Sequence, residues 1–124
     1  MATVTLSSGN FEETVSANDI VLVDFWASWC GPCRMFAPVF EEASTTHPGI
    51  VFAKVDTEAE PELAGAFGIM SIPTLMAFRD GVLLYSQAGA LPAAALEDLI
   101  RQVEALDMDA VRAQISAQSD QKAG

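Results

Sequence analysis

Residues 23–38 read VDFWASWCGPCRMFAP and contain both cysteines of this 124-residue chain, Cys30 and Cys33. The two thiols are separated by Gly31 and Pro32, and they follow a run of apolar residues typical of a strand. Such a pair has three interpretations: a structural disulfide, half of a metal site, or a dithiol that alternates between reduced and oxidised states. Residues elsewhere in the chain distinguish between these three interpretations.

The pattern around the two cysteines predicts a buried strand followed by a helix. Ile20–Ala27 is β-branched or aromatic almost throughout, which suits a central strand buried on both faces. Pro32 fits a first helical turn, where its missing N–H would have no partner anyway. The helical spacing of Met35, Phe36, Val39, Phe40 and Ala43 predicts a helix over about residues 31–46, kinked at Pro38.

Strand and helix patterns alternate along the rest of the chain. We expect an edge strand near Val4, a short helix from Phe11, a strand over 50–56, a short helix over 60–67, a hairpin of 74–79 and 82–87 around Asp80-Gly81, and a helix opened by Pro92. The order β-α-β-α-β-α-β-β-α predicts an α/β fold with a mixed sheet. One domain is expected over residues 1–106. Residues 107–124 are expected to be an extension, either a short helix carrying Met108, Val111 and Ile115 on one face or a frayed tail.

Composition and charge exclude several functional classes. With 51% hydrophobic and 19% charged residues, the chain should bury a core. A net charge of −11 with six Lys and Arg argues against binding nucleic acid or an anionic membrane surface. No export signal and no membrane-spanning run are visible, so we expect a cytoplasmic protein. A permanent disulfide would be unusual in that reducing compartment.

The spacing of the cysteines favours redox chemistry over metal binding. Cys30 at a helix start would have its thiolate stabilised by unpaired N–H groups, and Cys33, one turn further, could reach its sulfur. The dipeptide between them adds no positive charge, which favours a reductant. No metal is expected, because a second cysteine pair is absent and the only histidine, His47, is expected in an exposed loop.

Asp24 is the second candidate for chemistry. Burial of a carboxyl group within IVLVDFWA is costly and should raise its pKa, so Asp24 could accept the proton of the second thiol. The alternative is an Asp at a strand end that faces water. Lys54 could reach Asp24 if their strands pair, or it could extend to solvent instead.

From about Thr3 to Leu106 the chain resembles thioredoxin. The motifs VDFWASWCGPC, CRMFAP, AKVD, SIPT, FRDG and AGAL occur in the order of that family and at nearly its spacings. The resemblance implies a central mixed sheet with helices on both faces. It also implies a monomeric, general protein-disulfide reductase without a bound cofactor. Its partners would be disulfide-containing proteins and thioredoxin reductase, a flavoprotein that uses NADPH.

The resemblance also implies roles for individual residues. Cys30 would attack the substrate disulfide and Cys33 would resolve the intermediate, while Asp24 and Lys54 would manage protons. Pro73 would follow a cis bond and lie against Cys30, with Ile72 offering its backbone to an extended substrate. The remaining substrate-binding residues would be Trp29, Gly31, Pro32, Gly89 and Ala90, with Trp26 and Pro38 as structural support. For both tryptophans, plain core packing is the alternative.

Two other functions are compatible with the same fold. One is an oxidoreductase dedicated to a single client. The other is a binding module without redox activity, which retention of both thiols, Asp24 and the Ile72-Pro73 loop argues against.

Overall fold

The strands and helices occur in the predicted order, with one further helix at the end. A computed structural model describes residues 2–123 of the chain. Its elements are β1 (Thr3–Thr5), α1 (Phe11–Ala17), β2 (Ile20–Trp26), α2 (Gly31–Thr46), β3 (Val51–Asp56), α3 (Pro61–Ala66), β4 (Thr74–Arg79), β5 (Val82–Ala88), α4 (Ala93–Ala105) and α5 (Met108–Ala123).

The five strands form one sheet in the order β1-β3-β2-β4-β5, so β2 lies at its centre. Strands β1, β3 and β2 are parallel, whereas β4 and β5 are antiparallel to their neighbours. The predicted mixed sheet is therefore confirmed. Because β2 and β3 run in the same direction and end in register at Trp26 and Asp56, the segments that follow them meet at one edge of the sheet.

Two apolar cores cover the two faces of the sheet. One packs α2 and α4 against the sheet and includes Leu22, Phe36, Phe40, Phe52, Leu75, Leu96 and Ile100. The other packs α1 and α3 and includes Phe11, Val15, Val23, Phe25 and Phe78. Each large side chain that is fully buried contributes about 1.5–3 kcal/mol. Since side chains alternate along a strand, Asp24 shares the α2 face with Leu22.

Helix α2 buries only part of the apolar set whose spacing predicted it. Phe36, Phe40 and Ala43 are buried, whereas Met35 is 73% exposed. Met35 precedes Phe36 by one residue and is therefore rotated by about 100° around the helix axis. That rotation places it on the solvent side of the first turns.

The hairpin between β4 and β5 turns at Asp80-Gly81, as predicted. Both turn residues have positive φ angles, 53° and 78°. A two-residue hairpin of type I′ requires this conformation at both central positions, which explains the Asp-Gly pair.

Helix α5 is longer than the short helix or frayed tail that we expected. Its first turn is capped by Asp107, whose Oδ1 accepts hydrogen bonds from the N–H groups of Asp109 and Ala110 at 3.1 and 3.2 Å. Met108 is buried, and Arg112 pairs with Asp80 of the hairpin at 3.2 Å. These contacts dock the start of the helix on the domain. The domain boundary at residue 106 stays a prediction. Met1 and Gly124, the outer ends of the two predicted segments, lie outside the described residues.

Candidate active site

The two cysteines form a disulfide at the N-terminus of α2. Cys30 is the N-cap residue, and the N–H of Cys33 donates a hydrogen bond to Cys30 Sγ at 3.2 Å. This donor and the positive end of the helix dipole would stabilise a thiolate at Cys30 in the reduced protein. Both residues are at most 4% exposed, so exposure alone does not distinguish their roles.

Local contacts fix the start of α2 against the end of β2. The N–H of Cys30 donates to the carbonyl of Ala27 at 3.3 Å, and Arg34 Nη1 donates to the carbonyl of Ser28 at 2.9 Å. Pro32 lies in the first turn, as predicted, and Pro38 lies inside the helix. The short loop from β2 therefore holds the disulfide at the edge of the sheet.

Asp24 is completely buried beneath this helix. Cys33 precedes the buried Phe36 by one turn of α2, and Asp24 follows Leu22 on the β2 face that Phe36 covers. Cys33 and Asp24 therefore both lie in the layer between α2 and the sheet. Neither carboxylate oxygen has a hydrogen-bond partner among the described residues. Burial raises the pKa of Asp24 from 3.8 to about 7, although the charge of Lys54 acts in the opposite direction.

Lys54 is the register partner of Asp24 in the neighbouring strand, so the pairing on which its approach to Asp24 depends is present. Its ammonium group, however, lies 4.9 Å from the centre of the Trp26 ring. A cation over an indole face is favourable, by about 0.5–1 kcal/mol at an exposed site. Lys54 therefore acts on Asp24 through its charge, without forming an ion pair with it in the described residues.

The Ile72-Pro73 loop lies against the disulfide. The Ile72–Pro73 peptide bond is cis, as the resemblance implied. Cys30 Sγ lies 3.6 Å from the Ile72 carbonyl oxygen; a disulfide sulfur carries no hydrogen, so this is a contact rather than a hydrogen bond. The N–H of Gly89 donates to the Pro73 carbonyl at 2.8 Å, which brings the end of β5 and Ala90 to the same loop. Gly89 has φ of 113°, a conformation that a residue with a side chain rarely adopts.

The two tryptophans have different environments. Trp26 is half-buried, whereas Trp29 is 66% exposed, so plain core packing does not describe Trp29. The indole N–H of Trp29 donates to Glu58 Oε1 at 3.1 Å. Sequence reasoning missed Glu58. The sequence carried only a weak signal for its position, an Asp at the end of a strand, which favours a turn. Asp56 ends β3, and its side chain accepts a hydrogen bond from the Glu58 N–H at 2.9 Å in that turn.

His47 is not in the exposed environment that we predicted. Its Nε2 lies 2.9 and 3.0 Å from the two carboxylate oxygens of Glu97, and its ring stacks on Phe52. The side chain is 24% exposed. His47 therefore connects the end of α2 to α4, away from the disulfide.

Residues 2–123 contain neither a cluster of metal-ligating side chains nor a membrane-spanning helix. In that part of the chain, no group of three or more His, Cys, Asp or Glu side chains is arranged to hold a metal ion. Within the same residues, no helix has both the length and the apolar character needed to cross a membrane.

Comparisons with known proteins agree with this geometry. The model of the family "Thioredoxin" matches residues 2–102. The "Putative thioredoxin 2" of Streptomyces coelicolor is 57% identical over 120 residues, which cover 97% of this chain and 90% of that protein. The thioredoxin of Alicyclobacillus acidocaldarius is 45% identical over 103 residues, covering 82% of this chain and 98% of its own.

Solved structures give the same result for the fold. A Plasmodium falciparum thioredoxin has a TM-score of 0.74 and 37% identity, covering 81% of this chain and 97% of its own. A mutant thioredoxin from Halobacterium salinarum has a TM-score of 0.77 and 35% identity, covering 85% and 92%. Helix α5 lies beyond the residues that the family model matches.

Proposed function

Because this chain belongs to the thioredoxin family and is a thiol–disulfide oxidoreductase, we propose that it acts as a general protein-disulfide reductase. The observation that carries the proposal is the Cys30–Cys33 disulfide at a helix N-terminus, above a buried carboxyl group whose pKa is raised to about 7. These groups could supply a nucleophile, a resolving thiol and a proton acceptor.

In the first step, the reduced protein attacks its substrate. The thiolate of Cys30 forms a bond to one sulfur of the substrate disulfide, and the other substrate sulfur leaves as a thiolate that takes up a proton. The N–H of Cys33, 3.2 Å from Cys30 Sγ, supports the negative charge on the attacking sulfur. The product is a mixed disulfide between Cys30 and the substrate.

In the second step, Cys33 resolves the mixed disulfide. Its thiol gives a proton to the Asp24 carboxylate, and the resulting thiolate attacks Cys30 Sγ. The Cys30–Cys33 bond forms, the bond to the substrate breaks, and the substrate leaves with its second thiol. Two electrons pass from protein to substrate. An acceptor with a pKa of about 7 suits this transfer near neutral pH.

The substrate would bind as an extended strand along the Ile72-Pro73 loop. The Ile72 carbonyl lies 3.6 Å from Cys30 Sγ, so backbone pairing at Ile72 would bring the substrate sulfur close to the nucleophile. The surface next to it would be formed by Trp29, Gly31, Pro32, Gly89 and Ala90. Backbone hydrogen bonds do not depend on substrate sequence, which fits a reductase with many clients.

Regeneration requires an external source of electrons. We propose that a flavoprotein thioredoxin reductase supplies them from NADPH, that the protein needs no bound cofactor, and that it works as a monomer in the cytoplasm. The relatives named thioredoxin support the partner class. Nothing in this cycle requires helix α5.

The test is reduction of insulin, followed by turbidity, with dithiothreitol or with NADPH and a thioredoxin reductase. Wild-type protein should accelerate it, and Cys30→Ser and Cys33→Ser should both abolish turnover. Only Cys33→Ser should accumulate covalent complexes with substrate proteins on non-reducing gels, because its mixed disulfide cannot be resolved. Trapping by Cys30→Ser would reverse the two roles. A wild-type protein that reduces no disulfide would support the binding-module alternative.

A further inference from the structure

Large apolar side chains are unusually exposed around the disulfide. Among the described residues, the three most exposed are Met70 at 96%, Met35 at 73% and Trp29 at 66%. The other exposed large apolar side chains, Val4, Leu83, Leu106 and Ile115, are between 40% and 44% exposed. Isolated exposed apolar residues are ordinary, whereas a cluster of them indicates a binding surface.

Chain connectivity places all three on segments that adjoin the reactive sulfurs. Trp29 directly precedes Cys30, and Met35 follows Gly31 by four residues, one turn along the same side of α2. Met70 precedes Ile72 by two residues, and Ile72 contacts Cys30 Sγ through its carbonyl. Two residues span at most about 7 Å, so the Met70 backbone lies beside the proposed substrate strand. We call Trp29, Met35 and Met70 the methionine surface.

We propose that the methionine surface selects substrates, and that Met70 is a specificity-determining residue. The preferred client carries its disulfide in an extended segment in which large apolar side chains flank the attacked cysteine. This inference rests on the proposed reductase function and specifies its substrate class. A methionine side chain is unbranched and polarisable, so it can fit apolar partners of different shape. A side chain that is 96% exposed gains little from folding, and its burial would come from docking.

The charge of the chain disfavours one class of client, disulfides flanked by acidic residues. The protein carries a net charge of −11, and the carboxylate of Glu58 binds the Trp29 indole at the margin of the methionine surface. An acidic segment would be repelled there. Arg34 donates to the neutral Ser28 carbonyl and keeps its positive charge, a single cation in a chain with a net charge of −11. A disulfide flanked by acidic residues should therefore be the poorest substrate.

The experiment compares synthetic peptides that each carry one internal disulfide and differ only beside the attacked cysteine, with Leu-Leu, Ser-Ser or Glu-Glu. The fully reduced protein is mixed with each peptide in a stopped-flow instrument, and oxidation is followed by tryptophan fluorescence. Bis(2-hydroxyethyl) disulfide, which has no flanking residues, serves as the reference. Wild type should react with the Leu-Leu peptide about tenfold faster than with the Ser-Ser peptide, because about 1.4 kcal/mol of apolar burial corresponds to that factor.

Variants separate this role from a general loss of activity. Met70→Gln combined with Met35→Gln should reduce the Leu-Leu to Ser-Ser rate ratio to below about twofold, and Met70→Leu should retain it. Ile115→Gln, which removes a 44% exposed apolar side chain from α5, should leave the ratio as in wild type. If wild type reduces all peptides at one rate, the inference is wrong and the reductase function stands. If wild type reduces neither the peptides nor the reference disulfide, both proposals fail.

Discussion

Asp24 and Lys54 occupy directly paired positions on β2 and β3, yet in the described structure they form no ion pair. The Lys54 ammonium lies 4.9 Å from the centre of the Trp26 ring instead, and both Asp24 oxygens are buried without a hydrogen-bond partner among the described residues. A carboxyl group in this state is costly to ionise. The protein thus keeps beneath its disulfide a carboxyl group whose ionised form is destabilised. Four predictions follow from this group and from other contacts of the structure.

Replacement of Asp24 should stabilise the protein above neutral pH. The folded state holds the proton up to a pKa of about 7, whereas the unfolded chain releases it near 3.8. Between these values the unfolded state binds fewer protons, so the free energy of unfolding falls as pH rises. Asp24→Asn cannot ionise and avoids this loss, so at pH 8 it should be more stable than wild type by at most roughly 4 kcal/mol.

Urea unfolding at pH 4 and pH 8 measures this effect. The stabilisation by Asp24→Asn should shrink strongly at pH 4, where the carboxyl group is protonated in the folded state and close to its titration midpoint in the unfolded state. Asp19→Asn, at an exposed position, should show no comparable change between the two pH values. Equal stabilisation at both pH values would contradict the raised pKa.

Removal of the Lys54 charge should raise the pKa of Asp24 further, because that charge acts to lower it. In Lys54→Met, the midpoint of the Asp24 titration should therefore move to a higher pH than in wild type. Carbon-detected NMR of the carboxyl group gives the midpoint directly. Lys54→Arg keeps the charge and should remain close to wild type; an unchanged midpoint in Lys54→Met would exclude the electrostatic role.

The redox potential of the Cys30–Cys33 couple should lie near that of thioredoxin, about −270 mV. The reason is that Gly31-Pro32 adds no charge beside the sulfurs. Equilibration against glutathione or dithiothreitol, followed by tryptophan fluorescence, measures it. Pro32→His should make the potential less negative, since a cation stabilises the thiolate and hence the reduced form. Pro32→Ala controls for loss of the proline ring. A wild-type value above about −200 mV would indicate an oxidase or isomerase instead.

Arg79 should stabilise the junction between α4 and α5. Its Nη1 donates to the carbonyls of Val103, Glu104 and Leu106 at 2.8, 3.1 and 2.7 Å. A cation at a helix C-terminus satisfies otherwise unpaired carbonyls and the negative end of the dipole. Arg79→Met should lower the free energy of unfolding by about 1–3 kcal/mol.

The matched control for Arg79 is Arg101→Met, because Arg101 is exposed and pairs only with Asp98 in the described structure. Its substitution should change the free energy of unfolding by less than about 0.5 kcal/mol. Urea unfolding with circular dichroism compares the two variants. Equal effects would mean that the carbonyl contacts of Arg79 contribute nothing specific.

The sequence was most informative for structural features that depend on residues close together in the chain. The apolar run of β2, the cysteine spacing at the start of α2 and the turn at Asp80-Gly81 each depend on neighbouring residues, and the structure has all three. The apolar spacing predicted helix α2 but not the exposure of Met35, because periodicity does not show which flank of a helix another layer covers.

Sequence by itself therefore determined the elements up to the end of α4, their order, and the identity of the two reactive cysteines. Only the tertiary structure decided which distant side chains meet: Trp29 with Glu58, His47 with Glu97, and Arg79 with the end of α4. It also decided the approach of Ile72 to Cys30 and the burial of Asp24 without a partner. Local propensity acts over a few residues, whereas these contacts and the resulting pKa depend on how the packed layers bring remote segments together and exclude water.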